Sequence, residues 1–263
     1  MLKTIALLVL SSVLVTLLLT SCSNQTSDEL TTDENERIIA AIDKSTPLSE
    51  GNLITKTETD SDGNLNINYY DSDGNLVENF VWTDDDKNIS HTVLKYSDDN
   101  LLVEKEEISP DGSTDSVESY RYDSENNLTQ KTFSEIENGK TTKSTVFDAQ
   151  DNILGSTAFA FNAADRLSKV EKFDKNNNLV EYLVYEYNEK NQNTKCSTFG
   201  SDEKLIRYSC FEYNSSGLVT KEQNFDGNHN LIDYYETEYS ADGTMTASRH
   251  FDSQGVLLSE DIM

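Results

Sequence analysis

The sequence predicts an all-β chain: an elongated, twisted antiparallel meander of tandem β-hairpins, open as a single sheet or wound into a spiral, with about 17 strands over residues 55–263. Three observations predict it. Aromatic residues recur at a fixed interval, each is followed by the same turn chemistry, and the stretches between turns have strand length.

The interval comes first. Phe147, Phe173, Phe199, Phe225 and Phe251 stand 26 residues apart without a gap and use five of the chain's ten phenylalanines. Interleaved with them, Phe161, Tyr187, Tyr213 and Tyr239 keep the same spacing, and Tyr122, Tyr96 and Tyr70 continue the comb upstream, with Trp82 and Ile108 in the alternate slots. Steps between successive anchors alternate between 12 and 14 residues. Both are even, so plain side-chain alternation is expected to keep every anchor on one sheet face. Two steps break parity, Thr59 to Tyr70 and Tyr122 to Phe133, each of 11 residues. A β-bulge or an altered turn is therefore expected between Thr129 and Gly139, because a one-residue slip flips a strand.

The turns come next. In Tyr70-Asp71-Ser72-Asp73-Gly74-Asn75-Leu76, Asp71 can hydrogen-bond its own backbone at the start of a type I turn, and Gly74 falls where a following G1 bulge needs φ > 0. The fourth residue past the anchor is Gly at 63, 74, 112, 217, 243 and 255, Asn at 100, 126, 177 and 191, and Asp at 86, 151 and 165. These residue types tolerate the left-handed region best. Glu137 and Glu203 fit that slot less well. Leu76, Leu128, Leu179, Leu205 and Leu231, at the sixth position, are expected to lie across the hairpin from their aromatics. Pro110 falls in a turn, where a missing N–H is harmless.

The N-terminal region is different in kind. Lys3 and the apolar run Ile5 to Leu19 read as a secretory signal over residues 1–21, too short and too soon interrupted to span a membrane. Ser23 to Glu36 has almost nothing apolar and reads as a disordered tether, followed by a short amphipathic helix over Arg37 to Ile42 that stops before Pro47. Residues 22–54 are thus anchor, tether and helix, and residues 55–263 the repeat domain.

Two resemblances follow from these residues. Leu19-Thr20-Ser21-Cys22 resembles the lipobox of bacterial lipoproteins, which implies cleavage before Cys22, a covalent lipid (palmitate among its acyl chains) on that residue, and attachment to an envelope membrane facing periplasm or exterior. Tyr120-Arg121-Tyr122-Asp123-Ser124-Glu125-Asn126-Asn127-Leu128 resembles the YD repeat of the RHS family, with looser copies at Tyr185 to Asn188 and Phe211 to Asn214. That likeness implies successive hairpins building a spiralling sheet, which in large members forms a shell around a toxin.

Composition limits function. Acidic residues number 48 against 21 basic, a net charge of −27, and loss of Lys3 with the signal makes it one unit more negative. Such a surface repels nucleic acid and anionic lipid heads and favours cationic partners. Hydrophobic content of 35% is low for a thick core.

Candidate sites are few. The Asp-rich turns with Asp60, Asp62, Asp71, Asp73 and Asp84 to Asp86 offer hard oxygen ligands for calcium, but an EF-hand loop aligned on Asp62-Gly63 would need a glutamate where Tyr69 stands. The alternative is that Asp is simply a good turn former. His91, His229 and His250, the three histidines, assemble no metal site or Ser-His-Asp triad from sequence, and no enzyme and no cofactor beyond the lipid are expected. Cys196 and Cys210 are read as sharing one face, in diagonal rather than direct register, so a disulfide and two free thiols both stay open. Tyr69, Tyr120, Tyr182, Tyr185, Tyr208, Tyr234 and Tyr235 form either an aromatic ledge for glycans or peptides or ordinary cross-strand packing. The expected function is a non-enzymatic binding or adhesion module of the cell envelope with an unidentified protein or glycan ligand. A periplasmic scaffold for envelope partners and a hydrolase of envelope polymers are the alternatives.

Overall fold

The computed structural model describes residues 32–83, 85 and 87–262. The signal segment, Cys22 and the tether up to residue 31 lie outside the described residues, as do Asp84 and Asp86. The chain divides into two units, residues 1–140 and 141–263.

In the first unit, helix α1 (Thr32–Lys44) precedes β1 (Ile54–Thr59), β2 (Leu65–Tyr70), β3 (Leu76–Trp82), β4 (Asn88–Tyr96), β5 (Leu102–Ile108), β6 (Thr114–Tyr122) and β7 (Leu128–Glu137). Each strand pairs antiparallel with the next from β1 through β7. β8 (Lys140–Asp148) begins at the boundary. The second unit continues with β9 (Ile153–Phe161), β10 (Leu167–Asp174), β11 (Leu179–Tyr187), β12 (Asn193–Gly200), β13 (Leu205–Tyr213), β14 (Val219–Asp226), β15 (Leu231–Tyr239), β16 (Met245–Asp252) and β17 (Leu257–Ile262). From β8 to β17 the strands are again paired antiparallel in sequence order. The expected all-β meander of 17 strands is what the chain forms.

The turns are built as their chemistry requires. Asp71 N–H donates to the Asn75 carbonyl, and Gly74 N–H donates back to the Asp71 carbonyl, a type I turn closed by a G1 bulge. The same pair of bonds recurs in turn after turn through residues 252–256, including the one that carries Pro110. The slot residues Asn100, Asn126, Asp151, Asp165, Asn177 and Asn191 have φ between 60° and 67°. Glu203 adopts φ 62° and His229 φ 67° as well, so the Glu203 turn keeps the pattern despite its residue type. Glu137 does not. There the left-handed residues are Asn138 and Gly139, a two-residue turn between β7 and β8. This is the altered turn expected from the parity break; the β6–β7 ladder itself runs without interruption from Gln130 to Glu135.

Register overturns the expectation that all anchors share one face. Tyr70 lies opposite Leu76, but Tyr69 lies opposite Glu78, so Val77 stands unpaired as a one-residue bulge. A bulge of this kind sits beside every three-residue turn after the first hairpin, whose ladder runs unbroken from Ile54–Tyr70 to Thr59–Leu65. The extra residue cancels the even spacing. Phe199 faces Leu205 directly, then Thr198 faces Arg207, which puts Tyr213 on the face opposite Phe199. Phe and Tyr anchors of the second unit therefore lie on opposite faces, each aromatic still across from its sixth-position partner.

The first unit holds the buried core, and it corrects the reading of the tether. Helix α1 starts at Thr32, with Asp33 and Glu34 in its first turn and Lys44 in its last, charges that suit the helix dipole. Ile38 and Ala41 are buried against Leu65, Ile67 and Tyr69 of β2 and Phe80 and Trp82 of β3. Each such apolar side chain contributes ~1.5–3 kcal/mol. Residues 32–53 are thus a folded cover on the sheet, because Ile38, Ala41 and Ile42 meet an apolar patch.

Candidate functional site

Below the helix, one buried polar cluster ties residues 45–49 to the sheet. Ser45 is fully buried; its carbonyl accepts from Tyr69 Oη at 2.6 Å and its hydroxyl accepts from Trp82 Nε1 at 2.8 Å. Glu78 is also fully buried, and its carboxylate accepts the N–H groups of Leu48 and Ser49 at 3.0 Å and lies 2.6 Å from His91 Nε2. Burial alone would raise the Glu78 pKa, but the bonds from His91, Leu48 and Ser49 outweigh it and hold the carboxyl below its ordinary value. Burial, then the nearby Glu78 charge, pushes Tyr69 up to about 12. His91 stacks flat on Phe80 at 4.0 Å. Sequence reasoning did not single out Glu78. Its signal was there: period two from Trp82 and Phe80 places it on the core face.

Beside this cluster the first unit carries a cleft of about 740 Å³. Leu53, Val77 and Val93 are among its lining residues, together with the exposed acids Glu50, Asp73 and Asp98. Lys95, also on the wall, pairs with Glu104 at 2.6 Å.

The calcium candidates are engaged in their own turns. Asp60 Oδ1 accepts the N–H groups of Asp62 and Asn64, and Asp71 Oδ1 those of Asp73 and Asn75. The Asn64 and Asn75 side chains complete each set, and these bonds hold both carboxyls below the usual range. Asp62 and Asp73 supply the turn N–H groups, and Asp85 sits in the exposed turn between β3 and β4. Among the described residues no three His, Cys, Asp or Glu side chains gather as a metal set.

The two cysteines do not share a face. Cys196 lies opposite Ser209 and Cys210 opposite Lys195, because the bulge at Ile206 shifts the register by one. Alternation then points them to opposite sides, and both are free thiols pushed up in pKa by burial.

The tyrosines resolve into packing positions. Tyr182, Tyr208 and Tyr234 stack on Phe199, Phe225 and Phe251 at 4.6–4.9 Å, within 12° of parallel. From the other neighbouring strand, Lys169, Lys195 and Lys221 reach the same three rings at 4.5–4.9 Å. A ring held between a phenylalanine and an ammonium has no open face for a sugar. Tyr235 stacks on His250 at 4.2 Å, Tyr185 lies opposite Cys196, Tyr120 donates to Glu118, and Tyr69 is in the core. His229 Nδ1 lies 3.4 Å from Tyr208 Oη, and His250 Nε2 3.1 Å from Asp233.

A further set of tyrosines works as latches. The hydroxyls of Tyr187, Tyr213 and Tyr239 donate to the carbonyls of Leu167, Asn193 and Val219, each 20 residues earlier, as Tyr96 and Tyr122 do to Leu76 and Leu102. Each joins one hairpin end to the one before it. Tyr213→Phe is expected to cost about 1 kcal/mol, read as a lower urea midpoint; an unchanged midpoint would remove the latch from the stabilising contacts.

No known protein family and no curated protein matches the chain. Among solved structures it is similar to a porin-like protein from Bacteroides uniformis, at 12% identity over 80% of this chain and 96% of that one, with a TM-score of 0.37. It is also similar to a Tc holotoxin pore of Photorhabdus luminescens, at 13% identity over 78% of this chain but 15% of that one, with a TM-score of 0.24. The class is defined by the chain's own geometry. It is an all-β repeat protein of tandem antiparallel hairpins.

Proposed function

We propose that the chain is a non-enzymatic binding module held at a bacterial cell envelope by a lipid on Cys22. The observation that carries this reading is the periodicity of the second unit. The Lys-Tyr-Phe stack recurs on successive hairpins at 26-residue intervals, so the sheet offers the same surface repeatedly rather than one closed site. The stacked rings themselves are covered, and what they set out is a surface of equivalent edges and neighbouring side chains. Such a surface suits a protein or glycan with a repeat of its own, because several weak contacts on one ligand multiply in affinity. The acidic surface disfavours nucleic acid and favours cationic partners.

Protease shaving of intact cells tests the placement. The polar segment after Cys22 is expected to be cut, releasing the repeat domain, while an internal envelope marker survives. Protection until the envelope is opened would overturn display at the cell exterior and place the module in the periplasm.

A further inference from the structure

In the second unit the bulge residues beside the Phe turns form a row. Leu154, Val180, Ile206, Ile232 and Leu258 are spaced by 26 residues, and each is left unpaired next to the sixth-position residue of its hairpin. All five are 49–56% exposed. The opposite set of turns supplies an internal comparison. There the same bulge position holds Ser168, Thr194 and Thr220, and each hydroxyl donates to the cross-strand carbonyl of Ala160, Glu186 or Glu212. The bulge itself therefore does not demand an aliphatic residue. Folding gains little from these half-exposed side chains, and a polar residue fits the same backbone. Single exposed aliphatics are ordinary on a surface, but a periodic row of five is not.

Pitch and charge select what covers it. The row residues sit on every second strand, ~9.6 Å apart at ~4.8 Å per strand. A polyproline-II chain brings every third residue to one side at ~9.3 Å, whereas an α-helix returns a residue to one face after seven positions, at ~10.5 Å. Across the row the mismatch grows to ~1 Å for the first and ~4 Å for the second. A second copy would match the pitch but would bring the acidic turns opened by Asp148, Asp226 and Asp252 against their own kind. We propose that the row docks a cationic polyproline-II chain with an aliphatic side chain at every third position. This deepens the binding-module reading and rests on it.

The test uses the full chain and a fluorescent peptide of five Leu-Pro-Lys repeats. Two controls have equal charge: a scrambled peptide and a helical peptide with leucine every seventh residue. At about 150 mM salt, which screens indiscriminate attraction, the repeat peptide is expected to bind best. Ile206→Thr with Ile232→Thr is expected to weaken it at least about tenfold, with an unchanged melting temperature because threonine occupies the matching bulge at Thr194 and Thr220. Equal binding of the scrambled peptide, preference for the helix, indifference to the double variant, or self-association that the variant abolishes would each overturn the proposal. Envelope crosslinking separates the two readings. A partner captured equally by wild type and variant removes the row but leaves the module, while capture of no partner removes both.

Discussion

Glu78→Ala is expected to destabilise the first unit by about 3–5 kcal/mol. The substitution strips the acceptor from Leu48 N–H, Ser49 N–H and His91 at once, in a place with no exposed side-chain surface. Each buried donor left without a partner costs ~1–3 kcal/mol, and nothing nearby replaces the carboxylate. Leu48 and Ser49 would lose their hold on β3 and His91 its partner across β3 and β4, while the Ser45 bonds from Tyr69 and Trp82 would still tie the end of helix α1 to the sheet. Trp82, the chain's one tryptophan, sits in that core and reports on this unit, so its fluorescence during urea unfolding is the measurement. A loss under about 1 kcal/mol would mean that the cluster is no more than a surface ion pair in effect.

The same carboxyl gives a pH signature. Its folded pKa lies below the ordinary 4.5, so the stability it contributes is complete above that value and is lost as pH falls through the folded one. Glu78→Gln is expected to remove this acid slope while keeping one acceptor oxygen. At the alkaline end, the phenol of Tyr69, raised to about 12, contributes stability that is full below 10 and lost between those two values.

Cys22→Ser is expected to abolish lipid attachment altogether and to move the protein out of the membrane fraction. The physical reason is that among the described residues no helix is long and apolar enough to cross a membrane, and the acidic surface is repelled by anionic lipid heads. Metabolic labelling with an alkyne fatty acid, followed by fractionation, reads both effects. Labelling that survives the substitution would sink the anchor assignment.

Hairpins were legible because turns are local. Asp71, Gly74 and Leu76 act within seven consecutive residues, so the order of residue types carries the geometry. A broken parity marked residues 129–139 for a bulge or an altered turn, the stretch in which the two-residue turn at Asn138 and Gly139 falls. The extent of the tether was less legible. Thr32 to Glu36 is polar, and what makes it the start of a helix is Ile38 and Ala41 meeting Leu65 and Ile67.

The sequence by itself determined the strand count, the turn positions and the pairing of each aromatic with its sixth-position partner, since all of these depend on residues close along the chain. Tertiary structure decided the faces. The unpaired residue beside each three-residue turn after the first hairpin does not announce its bulge by residue type, being Val77 here, Thr194 there and Ile206 elsewhere, yet it inverts everything beyond it. That inversion separates Cys196 from Cys210 and sets Phe199 against Tyr213. Tertiary structure also decided that Glu78 would be buried and satisfied, because its partners Leu48 and Ser49 reach it only when the segment before β1 folds back over the sheet.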